Sequence, residues 1–462
     1  MEQMMRKCMV KKGYSVGATL LLMWGMSSVS LMGCVKDTDE ELREEVQRLG
    51  VRALEPAPDT HSDAKVELGR LLFFDKELSG NRDISCGTCH HPRFAMGDGR
   101  ALSVGVGGSD GVGPERKMGV EREYVPRNSP GLFNLNDSAW RVQFWDGRVE
   151  QYQSGELKSP AVGSLLDGLE SVVAAQAMFP VTSRDEMRGE RGDLDIHGEP
   201  NEIADAFDSD HLSIWGKITT RVMSHEEYRE RFLEVYDEED PNTINFTHIA
   251  NAIGAFEEQK LALANSPWDR FLKGEDDALS EDAKRGARLF YGEAGCSTCH
   301  SGPLMTNQRY YNLAVPQFGP GKGANKPLDL GRSSISMDPA DSYKFRVPSL
   351  RHVSYTAPYM HNGAYSTLRD AIRHHAYPAS MLLAYDGSLI EDVVLQKSFQ
   401  SREDVNEQML SSLGKELSVV PQLSDAQVSE LESFLVSCGD PAVESLEVLV
   451  PEVVPSGLSV DR

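Results

Sequence analysis

The sequence predicts a mostly α-helical fold: two helical domains related by duplication, with long loops and little β structure. Three observations carry this. From about His61 onward apolar residues recur at helical spacing, as in Ile249, Ile253 and Phe256 or Val428, Leu431 and Leu435, and period-two alternation is scarce. A weak repeat links Leu68-Gly69-Arg70-Leu71-Leu72-Phe73, ahead of Cys86-Gly87-Thr88-Cys89-His90, to Arg285-Gly286-Ala287-Arg288-Leu289-Phe290, ahead of Cys296-Ser297-Thr298-Cys299-His300. A chain of 462 residues is also long enough for two or three separate cores.

In chain order, residues 1–33 read as an export signal. Arg6, Lys7, Lys11 and Lys12 precede an apolar run over residues 16–32. That run falls short of the about 20 apolar residues a membrane-spanning helix needs. Leu31-Met32-Gly33-Cys34 resembles a bacterial lipobox, which would lipidate Cys34 and hold the mature protein on the periplasmic side of a membrane. Val35 follows the cysteine and favours the outer membrane. Residues 34–60 form a linker, in which an acidic helical stretch over 39–49 runs into Glu55-Pro56-Ala57-Pro58. The N-terminal domain spans 61–240 and the C-terminal domain 241–440. Within them Ser224-His225-Glu226-Glu227 and Ser424-Asp425-Ala426-Gln427 both fit a capping box at a helix start. Residues 192–210 are acidic and read as a surface insertion. Pro441, Pro451 and Pro455 mark 441–462 as a disordered tail.

Composition excludes some functions. Lysine and arginine number 47 against 71 aspartates and glutamates, a formal charge of −24 that repels nucleic acid and favours cationic partners. The seven cysteines leave no pair for a disulfide. Cys8 goes with the signal, Cys34 takes lipid, four sit in the two Cys-x-x-Cys-His motifs, and Cys438 stays unassigned.

Those motifs carry the chemistry. Cysteines three apart lie about one helical turn apart, so both sulfurs reach the two vinyl groups of one porphyrin. The next residue, His90 or His300, is then held under the iron as its proximal ligand. Zinc would want four ligands, and neither motif has a second Cys-x-x-Cys or a His pair nearby. A redox dithiol would want a βαβ setting, which is missing. The reading is two covalent haem c groups, on Cys86, Cys89 and His90 and on Cys296, Cys299 and His300, in two cytochrome c-like domains.

The sixth iron position decides between peroxide binding and simple electron transfer. After the second motif the available histidines are His352, His361, His374 and His375. Residues 366–376 look helical, with Leu368, Ile372 and His375 on one apolar face and His374 pointing about 100° away. Between His91 and His197 there is no histidine, so the first haem lacks a strong sixth ligand nearby; Met96 and Met118 remain as weaker ones.

Several further stretches, in this order, resemble the bacterial di-haem cytochrome c peroxidase/MauG family over about residues 64–440. They are Leu68-Gly69-Arg70-Leu71-Leu72-Phe73-Phe74-Asp75; Arg127-Asn128-Ser129-Pro130; Phe144-Trp145-Asp146-Gly147-Arg148; Glu186-Met187; Asp329-Leu330-Gly331-Arg332; Phe345-Arg346-Val347-Pro348-Ser349-Leu350-Arg351; and Thr356-Ala357-Pro358-Tyr359-Met360-His361-Asn362-Gly363. The resemblance implies that the haem on His90 binds peroxide, that Trp145 bridges the two haems, and that Glu186 moves protons during O–O cleavage. It implies a calcium ion held by Asn128 and the carbonyls of Thr356 and Pro358, oxygen ligands that suit a hard cation. His375 falls where the family places the sixth ligand of the second haem, commonly methionine or tyrosine, so histidine is a departure. A second departure is the missing histidine in the loop before Arg127, which caps the first haem in relatives that need reductive activation.

The activity so implied is reduction of hydrogen peroxide to water with electrons from a small cytochrome c or cupredoxin. The alternatives are a MauG-like oxidation of a partner protein and pure electron transfer. The partners implied are peroxide and the donor, with the membrane reached only through the lipid anchor and room left for a homodimer.

Overall fold

The computed structural model describes residues 38–109, 111–161 and 166–462. The export signal and Cys34 lie outside them. Helix accounts for 45% and strand for 5%, in line with the mostly α prediction. No helix among the described residues is long and apolar enough to cross a membrane.

Two main cores form, one around Phe73, Phe74, Trp215, Phe232 and Phe256, the other around Trp268, Phe290, Tyr291 and Phe434. Each is built on one crossing of two helices. Asp63–Phe74 lies on Phe246–Lys260, and Glu281–Tyr291 lies on Asp425–Ser437. Serine starts the first helix of each pair, Ser62 accepting from Lys65 N and Ser280 from Ala283 N. Gly69 and Gly286, both in the sequence repeat, sit at the crossings. A Cβ at 69 would lie 2.5 Å from the Ala252 carbonyl carbon, and one at 286 would lie 2.5 Å from that of Glu430. Only glycine lets these backbones approach so closely.

Short antiparallel ribbons do the remaining positioning. Val142–Gln143, Val149–Gln151 and Leu157–Lys158 pair in order, and Tyr310–Tyr311 pairs with Phe345–Arg346. The second ribbon ties the halves together, because Arg346 N donates to Trp145 O at 2.7 Å. Arg127 adds a buried bridge across the halves, to Asp146 at 2.6 Å and Asp329 at 2.6 Å. Burial alone would raise both carboxyls, yet Arg148 and Arg127 beside Asp146, and Arg127 beside Asp329, hold them well below the usual carboxylate range.

Five sequence expectations need correction. The boundary at 240/241 falls too early, because Phe246–Lys260 and Leu261 pack in the first core. The tail is ordered: Pro441–Leu449 is a 3₁₀ helix with Val443 and Leu446 buried, Ser456 Oγ donates to Asp75 at 2.7 Å, and Lys76 pairs with Asp461 at 2.5 Å. Proline at the first helical position starts this element rather than breaking it. The 34–60 segment is no free linker in its described part. Its helix, Thr38–Arg48, buries Leu42 and Val46 in the second core, and Leu54 enters the first. The surface insertion is anchored, with Ile203 and Ala204 fully buried and Asp195 paired to Arg82. The capping box at Ser224 does not form, because Ser224 ends one helix and donates to Arg221 O while His225 starts the next. The box at Ser424 with Gln427 does form.

Candidate functional site

Each Cys-x-x-Cys-His motif folds as a single tight turn at the edge of a cavity. At the first, Thr88 Oγ1 accepts from Ser85 N at 2.9 Å and His90 N donates to Cys86 O at 2.9 Å. At the second, His300 N donates to Cys296 O at 3.0 Å. All four cysteines are unbridged.

The two motif histidines are oriented alike. His90 Nδ1 lies 2.9 Å from Met96 O and 3.1 Å from Pro130 O, and His300 Nδ1 lies 3.1 Å from Met305 O. A carbonyl cannot donate, so Nδ1 carries the proton and Nε2 keeps its lone pair for a metal. Burial lowers both imidazoles, His300 to about 3, which keeps them neutral as ligation requires.

The second cavity holds a matched pair. His300 and His375 both line it, with ring centroids 6.3 Å apart. Two imidazoles bound to one metal through bonds of about 2.0–2.1 Å put their centroids about 6 Å apart. His375 Nδ1 donates to Ala371 O at 2.8 Å, so its Nε2 is also free to ligate. Its neighbour is spent. His374 Nε2 donates to Leu313 O at 2.7 Å and its Nδ1 accepts from Tyr365 OH at 2.8 Å. His352 is likewise a core residue, bonded to Asn134 and to Asp440 N, and His361 stacks on Phe345 at 3.5 Å. These donor sets fit two haem groups.

The first cavity differs. His90 is the one histidine lining it among the described residues, together with Cys86, Cys89, Gln176, Pro180, Glu186 and Met187. Met96 and Met118 do not line it. Met96 lies fully buried on the side where its carbonyl holds His90, and Met118 packs against the cluster of Leu102, Tyr124 and Phe318. Glu186 sits on a one-turn π helix, Arg184–Arg188. Val106 N donates to Glu186 O at 2.9 Å, and Gly105 lies so close that a Cβ there would be 2.8 Å from the same oxygen.

Trp145 lines both cavities and donates from Nε1 to Asn128 O at 2.9 Å. Asn128 spends its amide N–H groups on Arg100 O at 2.9 Å and Ala101 O, which turns Oδ1 away from those carbonyls. Thr356 and Pro358 line the same cavity as Asn128.

Sequence reasoning passed over several residues here. Lys322 arrives in a Gly-Pro-Gly-Lys-Gly loop, and Arg346 lines both cavities; the glycines flanking a lone lysine were the available signal. Glu257 lines the first cavity, and its Oε2 is buried without a partner. Burial, with Glu258 nearby, pushes its carboxyl up to about 8. Cys438 is a free buried thiol.

Comparison with known proteins agrees with this geometry. The family model described as di-haem cytochrome c peroxidase matches residues 63–277. The chain is 31% identical to the cytochrome c551 peroxidase of Nitrosomonas europaea, over 66% of this chain and 71% of that protein. It is 28% identical to the methylamine utilization protein MauG of Methylorubrum extorquens, over 77% of this chain and 84% of that one. Among solved structures it resembles a MauG-like protein associated with microbial copper homeostasis, with a TM-score of 0.55 and 25% identity over 85% of this chain and 94% of that one.

Proposed function

The chain belongs to the di-haem cytochrome c peroxidase/MauG family, and we propose that it reduces hydrogen peroxide to water in the first cavity, with electrons reaching it by way of the second. The observation that carries this is the asymmetry of the cavities: a facing His300/His375 pair in one, and in the other His90 with Glu186 and, among the described residues, no second histidine.

Bound in these cavities, the two haems supply the redox chemistry, one electron from each matching the two that peroxide takes up. The chain's own residues do the rest. Glu186 would accept a proton from one peroxide oxygen and return it to the other, which leaves as water, and the remaining oxygen leaves as a second water with the two electrons and two protons from solvent. Its backbone, pinned by Val106, fixes where that carboxylate sits. Trp145, common to both cavities, is the electron path between them. Asn128 Oδ1 with the Thr356 and Pro358 carbonyls is the calcium site, all three residues lining one cavity. Cys34 carries the lipid that keeps the enzyme on the periplasmic side of the outer membrane. A small cytochrome c or cupredoxin is the donor.

The likeness to MauG supports a second reading, in which the same first cavity oxidises a partner protein. Turnover of peroxide with a reduced small cytochrome separates the two. Glu186→Gln should keep both haems and lose peroxide turnover by about 10²–10⁴-fold, the usual contribution of a general acid–base group. A loss below about tenfold would make Glu186 a spectator.

A further inference from the structure

The first cavity has more positive charge than its carboxylates can match. Five cationic side chains line it: Arg127, Arg148, Arg346, Arg351 and Lys322. Three have carboxylate partners. Arg127 pairs with Asp146 and Asp329, Arg148 with Asp146 at 3.1 Å, and Arg351 with Asp269 at 3.1 Å. Lys322 and Arg346 have none among the described residues. Arg346 donates only to the carbonyls of Phe144 at 2.9 Å and Val347 at 3.3 Å, although it is 6% exposed. Among the described residues the Lys322 ammonium has no hydrogen-bond partner, and its loop is closed by Lys322 N donating to Leu328 O at 3.1 Å.

Two cations without carboxylate partners, Arg346 buried and Lys322 half-buried, make this part of the cavity favourable for anionic groups. Burial, with Arg148 and Arg127 beside it, pulls Lys322 down to about 8 against the opposing Asp146 and Glu186. Burial likewise lowers Arg346 to about 10, opposed by Tyr310 and Asp146. Lys322 lines the cavity together with Arg127, Arg148 and Arg346. Cys86 and Cys89 pack against the apolar cluster that lines the cavity with Phe73, Leu78, Ile84, Phe246 and Ile253. A haem tied to Cys86 and Cys89 through its vinyl carbons turns its propionate edge away from them.

We propose that Lys322 and Arg346, both from the second half of the chain, are the counter-cations of the two propionates of the first haem. This rests on haem attachment at Cys86 and Cys89, and the second half thereby sets the charge, and so the potential, of the first haem.

The test uses holoenzyme from a host with cytochrome c maturation. Haem is counted first by pyridine haemochrome, so failure of attachment is read separately from failure of the proposal. Spectroelectrochemical titration then follows each haem from pH 5.5 to 8. In the wild type the first-haem midpoint should be flat over this range, because paired propionates stay ionised. Lys322→Met should disfavour reduction of the first haem at least tenfold at pH 7, about 59 mV for one electron. It should also make that midpoint fall as pH rises, and leave the second haem unchanged. Lys322→Arg should restore the flat profile. A wild-type midpoint that already moves by about 59 mV per pH unit overturns the proposal, and that measurement needs no variant. So does a fully loaded Lys322→Met protein with a flat, unshifted midpoint that has lost only peroxide turnover, which would place Lys322 on the peroxide instead.

Discussion

Gly105→Ala adds one methyl group and touches no reacting side chain, yet it should disable the first cavity. The new Cβ would lie 2.8 Å from Glu186 O and closer still to Asp185 O, against an ordinary contact of 3.4 Å or more. Glu186 O must therefore retreat by about 0.6 Å and the Asp185 carbonyl by more, with loss of the hydrogen bond from Val106 N. The π turn carries the Glu186 side chain with it. Misplacing a catalytic group by about 1 Å costs up to about 10²-fold, so a loss of about 10–10²-fold in kcat/KM for peroxide is expected. Stability should fall by about 1–3 kcal/mol, the usual cost of overpacking. The assay is steady-state peroxide reduction with a reduced small cytochrome, on protein shown to hold two haems. Activity within about threefold of wild type in fully loaded Gly105→Ala protein would refute the placement of Glu186 as the proton carrier.

Two other substitutions separate neighbouring or buried groups. His375→Ala should remove the low-spin signal of the second haem, whereas His374→Ala should keep it and cost about 1–3 kcal/mol of stability, by stranding Tyr365 OH and Leu313 O; retention of the low-spin signal in His375→Ala would show another ligand. Glu257, held near 8 in the fold by burial, binds its proton more tightly folded than unfolded, so its contribution to stability declines as pH rises from about 4.5 to about 8, by up to about 1.4 kcal/mol per unit. Glu257→Gln should flatten that decline in thermal melts of the holoprotein, and an unchanged slope would mean the carboxyl is already ionised.

The parts of the site legible in the sequence were those whose chemistry is written in local spacing. Cys86, Cys89 and His90 need one turn and nothing else, and so do Cys296, Cys299 and His300. His375 was separable from His374 because a helix turns 100° per residue, and the fold duly spends His374 on Tyr365 and Leu313. What failed depended on distant partners. The tail looks like a chain of breakers, but Val443 and Leu446 join a core whose other buried members run from Leu54 to Leu304. Ser224 has the right residue type for a cap, yet the preceding helix claims it first. Lys322 carries no local pattern that reveals its charge environment, which is assembled by Arg127, Arg148 and Asp146 from the other half.

The resting ferric protein tests the central claim most directly, since everything proposed for peroxide depends on an open first iron and a capped second one. Electron paramagnetic resonance of the fully oxidised enzyme, with its optical spectrum, should show one high-spin haem and one low-spin bis-imidazole haem, and peroxide should react without prior reduction. Two low-spin signals, with reactivity only after one electron is added, would contradict the account. Such a result would point to a cap on the first iron from a residue lining that cavity, such as Met187.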